Sequence, residues 1–298
     1  MANADFDPVQ VGVLGATSFV GATLLQRLKN TSMKAIAYTR REVKKSSSGV
    51  EWRNLESELP LSQKINTGRA IPLWVCLAPI SVLPKYFNLL ETHGVKRLVV
   101  LSSTSRFTKQ DSSDLNEQIL VRHLADAEAI VQEWAEGHGV EWIILRPTLI
   151  YGCGQDRNIA EITRFIRRFG FFPVLGRACG LRQPIHVQDV AGACLSSLQS
   201  PASVNRAYNI SGAETLTYRE MVTRIFSMLG KRPRLVSIPL WMFRAAVFAA
   251  RSVPRYRKWS SAMAERMNCD MVFDHSEVKR DFEFTPRKFM LSEEDLPS

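Results

Sequence analysis

Gly15, Ser18 and Gly21 punctuate the stretch VGVLGATSFVGATLL, from Val11 to Leu25. The apolar residues before Gly15 read as a buried strand, and the leucines after Gly21 fall on one helical face. A strand that enters a glycine turn and opens a helix presents backbone N–H groups and the positive end of the helix dipole, which together make an anion site. Gly15 serves the tight turn and Gly21 lets the helix pack close to the strand. The middle position, nearest a bound pyrophosphate, usually lacks a side chain. Here it carries Ser18, the smallest polar substitute, whose hydroxyl either donates to a phosphate oxygen or points away. Dinucleotide binding is expected to survive in both cases, with Thr17, Phe19 and Val20 completing the loop. The next apolar run, KAIAYTR, ends in Thr39, Arg40 and Arg41, with no acid before Glu42. An acid there would hold a ribose 2′-hydroxyl, whereas a guanidinium suits a 2′-phosphate, so NADP(H) is expected over NAD(H).

Other reactive residue types are scattered. Cys76, Cys153, Cys179, Cys194 and Cys269 form no CxxC pair, and no histidine cluster lies at metal-ligand spacing near them. Reduced thiols in a cytoplasmic setting, and no metal site, are expected. The net charge of +10 is spread along the chain, densest in RFIRRFG (Arg164 to Gly170) and RSVPRYRKW (Arg251 to Trp259). Without zinc-finger spacing or an aromatic RNA-binding motif, nucleic acid is not the expected partner. The charge reads as a solvated basic face, or as a late-chain surface favouring an anionic small-molecule substrate.

The elements that must position these residues alternate along a chain of 298 residues, 45% hydrophobic and 23% charged. Strands are expected at Val11–Leu14, in KAIAYTR, at Leu73–Pro79, at Val95–Ser105 and in VEWIILRP. Glu42 to Leu61 is polar and weakly patterned. A long helix covers Asp114 to Glu136, with Leu115, Ile119, Val131 and Trp134 among its apolar positions. Further helices are expected at Ile159–Phe169, from an N-cap at Asp189 to Leu198, and after a capping box of Thr217 and Glu220. AYNIS reads as a late strand. Such alternation implies an α/β chain with a doubly wound parallel sheet. The opening MANADFDPVQ has no secretory leader pattern, and no run of about 18 uncharged apolar residues predicts a transmembrane span. The nearest approach, IPLWMFRAAVFAAR (Ile238 to Arg251), is interrupted by Arg244. It reads as a core-packed helix in preference to one lying in a membrane interface.

Several stretches, in order, resemble the extended short-chain dehydrogenase/reductase superfamily in its NAD-dependent epimerase/dehydratase branch. GATSFVG is similar to the GxxGxxG turn, VKRLVVLSSTS to the segment carrying an active-site Ser or Thr, and LRPTLIYGCGQDRN to the RPxxxYGPG loop, with Cys153 where Pro is common. RQPIHVQDVAGA, YNISGAETLTYREM and FTPRKF resemble later family segments. The resemblance implies a Rossmann-type core with a smaller C-terminal substrate lobe that closes over the nicotinamide. The expected division is 1–151, with 186–212 returning to it, against 152–185 and 213–298. Leu77, Ala78, Pro79 and Pro147 are expected along the cofactor, Tyr151 and Arg182 near substrate.

In that family a Tyr is the general acid/base and a Lys four residues on lowers its pKa, while a Ser or Thr orients the substrate oxygen. The last role falls on Thr104, or on Ser103 if the register slips by one. The pair is missing: Leu120 stands at the Tyr position and Leu124 at the Lys position, and neighbouring registers give Val121/Ala125 or Arg122/Asp126. His123 and Arg122 are the substitutes on that helix, and His186 reads as a satisfied buried histidine. The expected function is therefore an NADP(H)-dependent oxidoreductase or epimerase acting on a small polar or nucleotide-linked substrate. The alternative is a cofactor-binding sensor, regulator or assembly protein without turnover. A homodimer through the Asp114–Glu136 helix is the arrangement related folds imply.

Overall fold

The computed structural model describes residues 8–40, 49–57, 70–108, 114–239, 241–243 and 266–297. Seven parallel strands form the central sheet: β1 (Gln10–Leu14), β2 (Lys34–Thr39), β3 (Val50–Asn54), β4 (Leu73–Cys76), β5 (Arg97–Leu101), β6 (Glu141–Pro147) and, far along the chain, Arg206–Ile210. The order is Arg206–Ile210, β6, β5, β4, β1, β2, β3, and the chain's progress across the sheet reverses between β1 and β4. That switch point is where the strand-end loops of such sheets diverge and leave a crevice. The inner strands β1, β4, β5 and β6 are near-continuous apolar runs because helices cover both faces of the sheet.

One face carries α1 (Phe19–Leu28), with Leu24 and Leu28 fully buried. On the other face, the Ile80–Tyr86 turn, α2 (Phe87–Thr92) and a long helix pack around Trp74, Val131 and Ile144. After the one-turn α3 (Ser105–Thr108), that long helix is α4 (Leu115–Gly137), with Asp114 as its N-cap. Val131 turns inward as expected, whereas Leu115 and Ile119 are exposed, at 72% and 49%. The expected apolar phase thus holds for the second half of the helix only.

Past β7 (Ile150–Tyr151), α5 (Ile159–Phe169), β8 (Phe172–Leu175), β9 (Leu181–Arg182) and β10 (Ile185–His186) lead to α6 (Val187–Gln199), which packs beside α1. His186, not Asp189, caps α6, its Nδ1 accepting from the Gln188 N–H at 3.2 Å. Asp189, in the first turn, instead accepts from Arg287. β11 is the Arg206–Ile210 sheet strand. β12 (Leu216–Thr217), α7 (Tyr218–Met228), β13 (Leu235–Ile238) and α8 (Ser276–Asp281) complete the chain. A third core, with Tyr151, Ile162, Phe172, Met221, Phe226 and Phe289, sits apart from the sheet. The α7 capping box of Thr217 and Glu220 is formed as predicted.

β3 lies inside the stretch that reads as unpatterned. It is an edge strand whose Glu51 pairs with Lys34 and Arg53, so charge hides its alternation. Arg41, RSVPRYRKW and the Arg244–Arg251 part of the interfacial-helix stretch lie outside the described residues. Among the described residues no helix is long and apolar enough to cross a membrane.

Candidate functional site

The first turn is built from backbone. Gly15 has φ +77°, and a Cβ there would stand 2.5 Å from the Ala78 nitrogen. The Leu77 N–H donates to the Leu14 carbonyl at 2.8 Å, so the loops leaving β1 and β4 are locked together. A Cβ on Gly21 would meet the Gly15 carbonyl oxygen at 2.5 Å. Ser18 is the N-cap of α1: its Oγ accepts from the Gly21 N–H at 3.1 Å. The side chain is folded onto the helix it caps, which is the physical reason a serine fits where glycine is usual. Thr17 is exposed, Phe19 half-buried, and Val20 and Leu77 point into the core, leaving their backbone to face the loop. Ala78 is half-buried, and Pro79 and Arg40 are exposed, Arg40 just beyond the end of β2.

A cleft of about 970 Å³ runs from Ser18 and Phe19 past Ser103, Thr104 and Pro147 to Asp156, Arg157, Arg182 and Arg266. Thr104 is buried, and both its N–H and its hydroxyl donate to the Pro147 carbonyl, each at 3.1 Å. Its proton is therefore committed to the backbone. Ser103 Oγ accepts from the Ser105 N–H at 3.1 Å, which leaves its own proton to donate into the cleft. Leu120 is 43% exposed, Leu124 packs on the core against the sheet, and Arg122 and His123 face solvent. None of the four lines the cleft.

Arg182 is 4% exposed, donates to the Leu181 and Cys269 carbonyls at 2.6 and 2.7 Å, and lies over the Tyr218 ring. It makes no ion pair among the described residues, and burial lowers its pKa. A buried guanidinium on a cleft wall, with no ion pair among the described residues, is suited to an anion. Arg266 pairs with Glu117 at the start of α4. Tyr151 is fully buried, its hydroxyl on the Met290 carbonyl at 3.3 Å and its ring edge-on to His186 and Phe289. It is a packing residue off the cleft wall, because the lobe core needs its ring. Cys153 has φ +54°, a conformation closed to proline, so the loop takes a path the YGPG pattern does not allow.

Two groups escaped the sequence reading. Glu128, fully buried on α4, accepts from Ser102 at 2.5 Å, from Arg146 at 2.6 Å and from Arg106. Burial works to raise its pKa, but the bonds from Arg146 and Ser102 and the two guanidinium charges outweigh it and hold the carboxyl below its usual value. The cluster ties the ends of β5 and β6 to α4. The signal was a carboxylate in phase with Val121, Val131 and Ala135, answered by an arginine inside WIILRP. Asp156 Oδ1 accepts from Asn158 and Ile159 at 2.9 and 2.6 Å and so caps α5.

The family model of the NAD dependent epimerase/dehydratase family matches residues 85–211. Subunit 9 of the mitochondrial NADH dehydrogenase [ubiquinone] 1 alpha subcomplex of Arabidopsis thaliana is 28% identical over 120 residues, 40% of this chain and 30% of that protein. A ceramide reductase of Caulobacter vibrioides is 22% identical over 240 residues, 77% of this chain and 73% of that one. The chain spans 30% and 50% of the length of two curated relatives it matches at 28% and 26% identity. Among solved structures, the UDP-glucose 4-epimerase of Thermotoga maritima with UDP-glucose superposes with a TM-score of 0.68 at 16% identity, over 96% of both chains. The UDP-glucose 4-epimerase of Thermus thermophilus in complex with NAD gives 0.59 at 19% identity, over 78% of this chain and 86% of that one. Residues 85–211 thus match the model of the NAD dependent epimerase/dehydratase family, and the chain has the Rossmann-like fold seen in solved UDP-glucose 4-epimerases.

Proposed function

We propose that the chain binds a nicotinamide dinucleotide, NADP(H) in preference to NAD(H), and holds an anionic small molecule beside it. The observation that carries this reading is the cleft that joins the Ser18 end of the anion-binding turn to buried Arg182, which has no ion-pair partner among the described residues. The diphosphate lies on the backbone of Gly15 to Gly21, flanked by Leu77, Ala78, Pro79 and Pro147. Arg40 and Arg41 take the 2′-phosphate. The solved neighbour with NAD supports a nicotinamide cofactor. The 1–151 and 186–212 unit carries the turn, and the 152–185 and 213–298 unit carries the arginines and closes over it.

The reaction class is that of an oxidoreductase or epimerase on a small polar or nucleotide-linked substrate, since sugar-nucleotide epimerases share the fold. The cofactor, when bound, accepts or donates hydride. Ser103 donates to the substrate oxygen, Thr104 fixes the Pro147 carbonyl and with it the cleft wall, and Arg182 holds the anionic part of the substrate. A cytoplasmic setting fits the five free cysteines, and self-association through α4 fits its exposed Leu115, Ile119 and Ile130. Light scattering at rising concentration tests the latter.

A thermal-shift panel with NADPH, NADP, NADH and NAD tests the core of the reading. NADPH is expected to stabilise most. A larger shift with NADH overturns the Arg40 assignment, and no shift with any of them overturns the site. NADPH oxidation with carbonyl compounds and sugar nucleotides tests turnover, which Ser103→Ala is expected to lower at least about tenfold.

A second reading, a nucleotide-binding subunit without turnover, is favoured by Leu120 and Leu124 and by the relative named as an NADH dehydrogenase subunit. It predicts stabilisation by NADPH with no oxidation of it by any substrate in the screen.

A further inference from the structure

We infer that the face formed by the end of α5, the start of β8 and the strand β13 docks on the surface of an anionic lipid bilayer. Phe169, Phe171, Val236, Trp241 and Met242 are 51%, 37%, 49%, 71% and 47% exposed. The fold brings the two stretches together. β13 pairs with β8 in parallel register, Leu235 against Phe172 through Ile238 against Leu175. The Phe172 N–H donates to the Arg234 carbonyl at 2.9 Å, and Lys231 Nζ reaches the Ile166 carbonyl at 3.4 Å. Among the described residues β13 has no strand on its other side. Large apolar side chains thus stand exposed at both ends of the β8/β13 pair, with Val236 between them, and such exposure marks an interaction surface.

Charge selects the occupant. Residues 164–177 and 231–242 contain Arg164, Arg167, Arg168, Arg177, Lys231, Arg232 and Arg234, and neither Asp nor Glu. Arg167 is turned onto the Pro297 carbonyl, while Lys231, Arg232 and Arg234 are exposed and Arg168 lies 5.2 Å over the Phe169 ring. Aromatic and aliphatic side chains rimmed by cations of one sign match the boundary between acyl chains and anionic headgroups. Exposed Phe169 and Phe171 pack against Phe165, tilted at 4.6 Å and edge-on at 5.7 Å between ring centroids. Phe165 and Phe172 line a side chamber of about 360 Å³ that shares Arg182 and Met271 with the cleft. The docking face and the substrate chamber thus have a common aromatic wall.

The test is sedimentation of the full chain with phosphatidylcholine vesicles, with and without phosphatidylglycerol. The chain is expected to sediment with the phosphatidylglycerol vesicles only, and less as salt rises. Phe169→Ser, Phe171→Ser and Trp241→Ser combined are expected to lower the bound fraction at least about fivefold, with the far-UV dichroism of the native chain retained. Native chain that stays in the supernatant with phosphatidylglycerol vesicles overturns the proposal, and so does a folded triple variant that sediments like the native chain. Release of the chain from vesicles by poly(U) would replace the bilayer with nucleic acid.

Discussion

The two ends of the cleft are made of different materials. At the Gly15–Gly21 end the turn is built from backbone, and the side chains serve only to allow it: two absent Cβ atoms and one serine folded onto its own helix. On the α4 side the family's chemistry would need two particular side chains, and leucines stand there instead, clear of the cleft wall. Backbone donors survive substitution as long as the path of the chain is kept, whereas a proton carrier disappears with one residue. A chain can therefore keep a nucleotide turn and lose the acid/base pair beside it.

The largest effect should come from the tie that still holds the side-chain end in place. Glu128→Ala leaves Arg146 and Arg106 beside an empty buried position, and removing one partner of such a network costs about 3–5 kcal/mol. Urea melts should show this, with Glu128→Gln falling between. Because the Glu128 pKa is lowered in the folded chain, its stabilisation is present above the unfolded carboxylate value. It is lost as pH falls through the folded one. A cost under about 1 kcal/mol in Glu128→Ala would mean the guanidinium groups find water, and that this end is not rigid.

Next comes the backbone end. Gly15→Ala forces a Cβ to 2.5 Å from the Ala78 nitrogen at φ +77°. Strain and overpacking together should cost about 2–4 kcal/mol and abolish the NADPH thermal shift. Loss of stability with nucleotide binding intact would break the contrast between the two ends.

A smaller effect is expected where the C-terminal residues clamp the lobe. Asp295 accepts from His186 Nε2 at 2.9 Å, from the Ser292 N–H at 2.9 Å and from the Cys153 N–H at 3.3 Å. Burial works to raise its pKa, but the bonds from His186 and Ser292 prevail and bring it down to about 2. The stabilisation is complete above pH 4 and is lost between about pH 4 and pH 2, roughly 1–2 kcal/mol in all. Stability–pH curves of the native chain and Asp295→Asn should diverge above that window and converge below it.

What could be read in the residues follows the same division. β1, β2, β4, β6, the α5 limits and the α7 capping box were legible because apolar runs and caps are local signals. β3 was not, because an edge strand of Glu51, Trp52 and Arg53 takes its order from pairing with β2. The α6 cap was misplaced by three residues, since His186 Nδ1 does what an aspartate usually does. The outer glycines could be read, but the clash partner of Gly15 could not, because Ala78 lies more than sixty residues away. Tyr151 and Arg182 sat in equally suggestive motifs, yet only Arg182 reaches the cleft, a distinction made by the Phe289 and His186 rings packed on Tyr151.

The smallest expected effect bears most directly on the contrast. If Ser18 is a cap and not a phosphate ligand, Ser18→Ala should cost about 1 kcal/mol, because the Gly21 N–H loses its acceptor, and Ser18→Gly only a few tenths. The NADPH thermal shift, measured relative to each variant's own melting temperature, should stay the same in both. A hydroxyl that donated to the diphosphate would behave otherwise: both variants would lose nucleotide affinity together, whatever their stability. That outcome would move Ser18 from the backbone-built end to the side-chain-built one, and the nucleotide turn would owe its anion binding to a hydroxyl as well as to its amides.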